Sequence, residues 1–267
     1  MEKSIIRKGR LLYAIGIVGL GGQHFYNGGF VAVIMPSFPS GIPGLYFWVC
    51  VAGIGMMITG GAILVGKGAR AAAILLGSAL LAVIVFRDIP YQASVNFRSL
   101  GAWTNTLKAL TLAGGAFVAA ASIPGQGSAR WDPRFVSFGC FAIALTVAVF
   151  GVDHFLYAPF VATMVPSWMP GHMFWTYFCG SALIAAGTGM ILRIKPRLAA
   201  GLLGAMIFTW LLVLHIPWAL RDPHTDNGNQ WTSVFEATSF SGIAFMLSRL
   251  LPGKSAGARA PRHADGS

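Results

Sequence analysis

The sequence predicts an all-α polytopic membrane protein: eight transmembrane helices forming two parallel-repeat four-helix units, with both termini cytoplasmic. Composition, a duplicated motif and the placement of basic residues carry that prediction. Of 267 residues, 55% are hydrophobic and 10% charged, whereas a soluble domain carries about 25% charged residues. The apolar runs are continuous rather than alternating, and backbone polar groups in lipid must be satisfied within their own segment, so the spans are helices.

The duplicated motif is GVDHFLYAPFVATMVPSWMPGHMFW, from Gly151 to Trp175, echoed by GGQHFYNGGFVAVIMPSFPSGIPGLYFW, from Gly21 to Trp48. Gly151, His154, Phe155, Phe160, Val161, Ala162, Pro166 and Ser167 match Gly21, His24, Phe25, Phe30, Val31, Ala32, Pro36 and Ser37 at one offset. A short insertion in the first copy shifts the register, after which Pro170, Gly171, Phe174 and Trp175 match Pro43, Gly44, Phe47 and Trp48. Ile89-Pro90 answers Ile216-Pro217, and Trp103, Thr104, Ala109, Gly114 and Phe117 answer Trp231, Thr232, Ala237, Gly242 and Phe245. An internal duplication of this kind makes the fold two copies of one unit.

In chain order, the segments long enough to cross a hydrocarbon core are 11–34, 45–66, 70–88, 103–122, 135–157, 172–192, 197–217 and 231–250; such a crossing takes about 20 apolar residues as helix. The first follows Lys3, Arg7, Lys8 and Arg10 like a signal-peptide start, but no A-x-A site follows and the segment belongs to the repeat, so it is expected to be retained. Those four residues fall on one side of an eight-span arrangement with Lys67, Arg70, Arg130, Arg134, Arg193, Lys195, Arg197, Arg249, Lys254, Arg259 and Arg262. The positive-inside rule makes that side cytoplasmic. It also disposes of a nucleic-acid reading of the net charge of +11, because the basic residues are scattered as topology markers. The domain organisation expected is 1–122 as the first unit, 123–134 as a cytoplasmic linker, 135–251 as the second unit and 252–267 as a disordered cytoplasmic tail. An even number of spans per unit gives both the same orientation, unlike the inverted repeats of many transporters. Glycine and alanine within the spans allow close helix approach.

Ionisable residues in spans are costly and mark functional candidates. At 1.5 Å per residue, His154 lies about 30 Å along its helix from Arg134 and His215 about 27 Å from Arg197, so both reach the non-cytoplasmic edge. His172 opens the sixth span there, and Glu236 lies about a turn and a half inside the eighth. His154, His172, His215 and Glu236 are thus one candidate ligand per helix of the second unit, with Asp153 beside them. Three imidazoles and a carboxylate suit a transition metal such as Zn, Fe or Cu, in a bundle core where such sites are built. The competing readings are a hydrogen-bond network that ties helices together, which is the favoured one, and a substrate or proton site. The first unit keeps His24 at the position of His154 but has Leu45, Asp88 and Lys108 at those of His172, His215 and Glu236. Asp88 and Lys108 are expected to pair, with Arg87 and Asp153 as other partners. Cys50, Cys140 and Cys179 stand singly in apolar runs, as small buried hydrophobes. Phe38, Tyr91, Trp103, Trp168, Trp218 and Trp231 fit interfacial anchors. The loop Arg221 to Trp231, with Asp222, His224 and Asp226, reads as a polar turn or a lid over the histidine mouth. The sequence contains no P-loop, Rossmann glycine pattern, CxxCH or nucleophile elbow.

The motifs GVDHFLY, VPSWMPGH, LHIP and NQWTSVFEA, in four-helix units, resemble the DoxX-like family of bacterial integral membrane proteins, here as a duplicated pair. The resemblance implies four-helix membrane modules in the bacterial inner membrane, some linked to quinone-dependent sulfur oxidation and some to redox-stress complexes. The expected function is therefore a redox-associated membrane component, quinone- or metal-linked, with other membrane redox subunits and the lipid bilayer as partners. The chain has no cysteine pair for direct thiol chemistry. The alternatives are a transport or permeation protein whose pathway lies between the units, gated by Lys108 and Glu236, and a structural or assembly subunit.

Overall fold

The computed structural model describes residues 2–35, 42–95, 97–123 and 132–252, apart from the side chains of Asp226 and Asn227. Pro36, Ser37, Phe38, Arg130, the linker residues 124–131, and the tail with Lys254, Arg259 and Arg262 lie outside the described residues. Among the described residues the regular structure is entirely helical. The helices are α1 (Glu2–Asn27), α2 (Leu45–Val65), α3 (Ala69–Val95), α4 (Thr104–Ala121), α5 (Pro133–Leu156), a short α6 (Ala158–Met164), α7 (His172–Ile191), α8 (Pro196–Arg221) and α9 (Asn229–Leu250). Five of them, α2, α3, α5, α7 and α8, are long and apolar enough to cross a membrane.

Four boundaries depart from the sequence reading. Helix α1 begins at Glu2 rather than 11, because Lys and Arg are good helix formers whatever their charge. It ends at Asn27 rather than 34, because Gly28 adopts φ 62 and breaks the ladder. Helices α3 and α8 continue past Pro90 and Pro217 rather than ending near them. Proline lacks an N–H and its ring crowds the carbonyl four residues back. The chain absorbs this by widening to π-turns, Ile84–Asp88 and Leu211–His215, and then resumes as α-helix.

The packing repeats as the sequence does. Helix α1 crosses α2 where Gly21 and Gly53 each leave no room for a Cβ, with about 2.8 Å to the opposite carbonyl. Helix α5 crosses α7 in the same way at Gly151 and Gly180. Helix α4 meets α5 at Gly114 and Gly139, and α9 meets α1 at the matching residues, Gly242 and Gly9. The repeats also pack extensively on one another: α1 lies along α9 and α4 along α5, while α1 barely touches α4. Lys108 faces Glu236 and Gly115 faces Ile243, so α4 and α9 run parallel. The two repeats are thus related by a pseudo-two-fold rotation whose axis passes between α4 and α9.

That placement explains why α4 and α9 are less apolar than the lipid-facing helices. They are the most enclosed, burying Thr106, Thr111, Thr232, Thr238, Ser239 and Ser241 among apolar neighbours, so lipid does not demand hydrocarbon on every face. Tyr13, fully buried, donates to the Leu112 carbonyl at 2.8 Å. Thr111 donates to Thr146, which donates to the Leu107 carbonyl at 2.9 Å. At one end of the bundle Arg70 donates to the Ile123 carbonyl after α4, and Arg197, at the matching position, donates to the Leu251 carbonyl after α9. Cationic caps at helix C-termini satisfy orphan carbonyls.

Candidate functional site

The polar centre of the molecule is where α4 and α9 face one another across the axis. Lys108 Nζ lies 2.9 Å from Glu236 Oε2, with the two side chains 22% and 7% exposed. The sequence reading paired Lys108 with Asp88 inside one repeat. Instead Lys108 reaches the residue that matches it in the other repeat, because it lies on the face of α4 turned toward α9. Glu236 Oε1 is buried and accepts no hydrogen bond, and the same holds for Asp88 Oδ1 and Asp153 Oδ1. His215 is the last residue of the π-turn in α8.

The other candidate ligands take different directions. His154 Nδ1 lies 2.7 Å from the Phe150 carbonyl, and its Cβ faces Gly180 on α7. His24 repeats this on the other side of the axis: Nδ1 is 2.9 Å from the Leu20 carbonyl and the Cβ faces Gly53 on α2. A carbonyl only accepts, so both imidazoles carry their proton on Nδ1 and present a lone pair on Nε2. In His24 that nitrogen is fully buried without a partner, beside Phe30. His172 begins α7, and its carbonyl accepts from Thr176 at 3.0 Å. Arg87 lies 4.7 Å from the Tyr91 ring centre, a cation–π contact one turn along α3.

Among the described residues, no three His, Cys, Asp or Glu side chains are grouped as a metal ion would require. Of the four candidate ligands, Glu236 is engaged by Lys108, while the Cβ of His154 is turned to α7, the helix that His172 begins. What the arrangement offers is an ion pair between a half-buried ammonium and a buried carboxylate that keeps one oxygen free, which suits proton or ion handling.

Sequence reasoning missed a second polar group. Gln23 is buried, accepts from Thr232 and donates to the Gly228 carbonyl at 3.3 Å, tying α1 to the start of α9. Tyr26 OH bonds His224 Nδ1, and the two rings stack at 5.9 Å. The one signal available was position: Gln23 precedes the repeated His24 just as Asp153 precedes His154.

A family model described as a domain of unknown function (DUF8561) matches residues 143–238. No curated protein and no solved structure matches the chain.

Proposed function

We propose that the chain is an eight-span protein of the bacterial inner membrane, with both termini cytoplasmic, that conducts protons or a proton-coupled solute between its two repeats. The observation that carries this is the Lys108–Glu236 pair with its unpartnered carboxylate oxygen. A charge pair buried at membrane depth is costly, and replacing it by apolar residues often stabilises a protein, which supports a reason other than stability for its presence. Glu236 takes up a proton at Oε1, which weakens the hold of Lys108 and lets α4 and α9 part. His215, in the π-turn of α8, is the group to which we assign the next proton transfer. The π-turns that end at Asp88 and His215 support the reading too, since π-bulges within helices recur at functional sites.

The test is proton uptake by proteoliposomes loaded with pyranine, under a potassium diffusion potential set by valinomycin. Wild type acidifies the lumen, and Glu236→Gln that elutes normally on size exclusion does not. Uptake no faster than in protein-free liposomes refutes the function. The topology is tested on a cysteine-free background: cysteines placed at Lys67 and Arg193 stay unlabelled by an impermeant maleimide in intact cells, while one at Thr225 reacts.

The second reading is a DoxX-like redox-associated component that handles a quinone, with other membrane redox subunits as partners. The His154 lone pair, fixed by the Phe150 carbonyl, favours it, since an oriented imidazole acceptor suits a quinol hydroxyl. Bound quinone in an extract of the purified protein, lost in His154→Ala, supports this reading; its absence, with no co-purifying redox subunit, removes it.

A further inference from the structure

The turn that joins α7 to α8 has a twin in the turn that joins α2 to α3. At the offset that pairs Arg197 with Arg70, Arg193, Ile194 and Lys195 stand where the first repeat has Gly66, Lys67 and Gly68. The backbone is left-handed at both positions of both turns: φ is 86 at Gly66 and 63 at Gly68, and 57 at Arg193 and 47 at Lys195. Arg193 and Lys195 are the two non-glycine residues with positive φ among the described residues. Arg193 N–H reaches the Met190 carbonyl at 3.3 Å and Ile194 N–H the Gly189 carbonyl at 2.8 Å, a helix ending in which glycine is the usual left-handed residue.

A Cβ at Gly66 or Gly68 would meet nothing within 4 Å, so the left-handed backbone alone explains the glycines of the first repeat. A residue with a Cβ is disfavoured in that conformation by about tenfold, and Lys195 is hindered further because it precedes Pro196. The second repeat thus carries strain at two positions and places a cation at each. Membrane orientation does not require this. A basic residue counts toward it wherever it stands in a short loop, and cations could stand at Ile194, as in its twin Lys67, or at exposed Leu198 in α8, without a left-handed backbone.

The surroundings indicate what the cations meet. Arg197 is held by the Leu251 carbonyl and by Glu2, whereas Arg193 and Lys195 are exposed and neither forms an ion pair with a described carboxylate. Leu192, Ile194 and Leu198 around them are 60%, 61% and 54% exposed. Two cations therefore ride on an apolar collar at the shared end of two helices long and apolar enough to cross a membrane, where basic side chains reach from hydrocarbon to headgroups. We propose that the Arg193–Lys195 turn binds the phosphodiester of an anionic phospholipid. Leu192, Ile194 and Leu198 lie against its acyl chains, which a free phosphate lacks. Two cations also select its net charge: a zwitterionic headgroup brings a cation to its own phosphate, while phosphatidylglycerol leaves the phosphate charge to Arg193 and Lys195.

The experiment is native mass spectrometry of the full-length protein in detergent with equal amounts of phosphatidylglycerol and phosphatidylcholine, with thermal unfolding followed in parallel. Arg193→Gly combined with Lys195→Gly copies the twin turn. Without lipid this variant should unfold at a temperature no lower than wild type, because the left-handed positions now hold glycine. Its preference for phosphatidylglycerol should fall by roughly tenfold. Lys3→Ala combined with Lys8→Ala removes two exposed cations from α1, and this charge-matched control should keep the preference. An equal fall in both variants assigns the preference to net charge and overturns the proposal, as does an unchanged preference in the glycine variant. A glycine variant less stable than wild type refutes the strain from which the site is inferred. Thermal protection of wild type by inorganic phosphate as great as that by phosphatidylglycerol would assign the turn to a free anion and overturn the proposal too.

Discussion

If Lys108 and Glu236 occupy equivalent positions on either side of a pseudo-two-fold axis, exchanging them should be tolerated while either single change is not. At 2.9 Å and an effective dielectric of about 20, the attraction is about 6 kcal/mol before desolvation is subtracted. Lys108→Met leaves Glu236 buried and unpaired and should cost about 3–5 kcal/mol, lowering the midpoint of thermal unfolding in detergent by on the order of 10 °C. Lys108→Glu should be worse at neutral pH, since it sets two carboxylates face to face. One of them would hold its proton, with its pKa raised by the other, so this variant should regain stability as the pH falls and lose it as the pH rises. The exchange variant, Lys108→Glu with Glu236→Lys, should lie within about 1 kcal/mol of wild type, giving a large coupling energy in the double-mutant cycle. The assay is thiol-reactive fluorescence unfolding over a pH series, with size exclusion to confirm monodispersity. An exchange variant no more stable than the worse single variant would refute the pairing and the placement of the axis together.

Glycine crossings should discriminate by position: Gly151→Ala drives a Cβ to 2.6 Å from the Gly180 carbonyl and should cost about 1–3 kcal/mol. Gly55→Ala, with nothing near, should be neutral or stabilising in the same unfolding measurement. Tyr13→Phe removes the 2.8 Å bond to the Leu112 carbonyl and should cost about 0.5–1.5 kcal/mol; no change would mean that bond contributes nothing. Pro217→Ala restores the missing N–H and should let the Leu211–His215 π-turn close to α-helix. That would turn His215 by about 100° relative to α9, detectable as altered maleimide reactivity of a cysteine at position 215.

What the sequence revealed follows from what repeats. The duplicated glycines, the Ile-Pro pairs and the shared His24 and His154 are local in the chain, and each reappears as a duplicated contact: Gly21–Gly53 with Gly151–Gly180, and one π-turn with another. The π-turns themselves were legible in the two prolines, had the clash with the carbonyl four residues back been followed through. The pairing of Lys108 was not legible, because a hydropathy pattern gives depth along a helix but not which neighbour the helix turns toward. The same limit applies to the histidines. Comparable depth placed His154, His172 and His215 on one level, yet level says nothing of azimuth, and the Cβ of His154 is turned to α7.

The opposite charges at positions 108 and 236 also bear on how such a chain can arise. Two separate copies of either repeat, paired about a true axis, would set ammonium against ammonium or carboxylate against carboxylate. In a homodimer both positions change together, whereas a chain that holds both copies can let one side mutate without the other. The Lys108–Glu236 bridge is thus a feature that fusion permits and that afterwards forbids return: once it exists, neither half can dimerise with itself as the fused halves do, and the duplication is locked in.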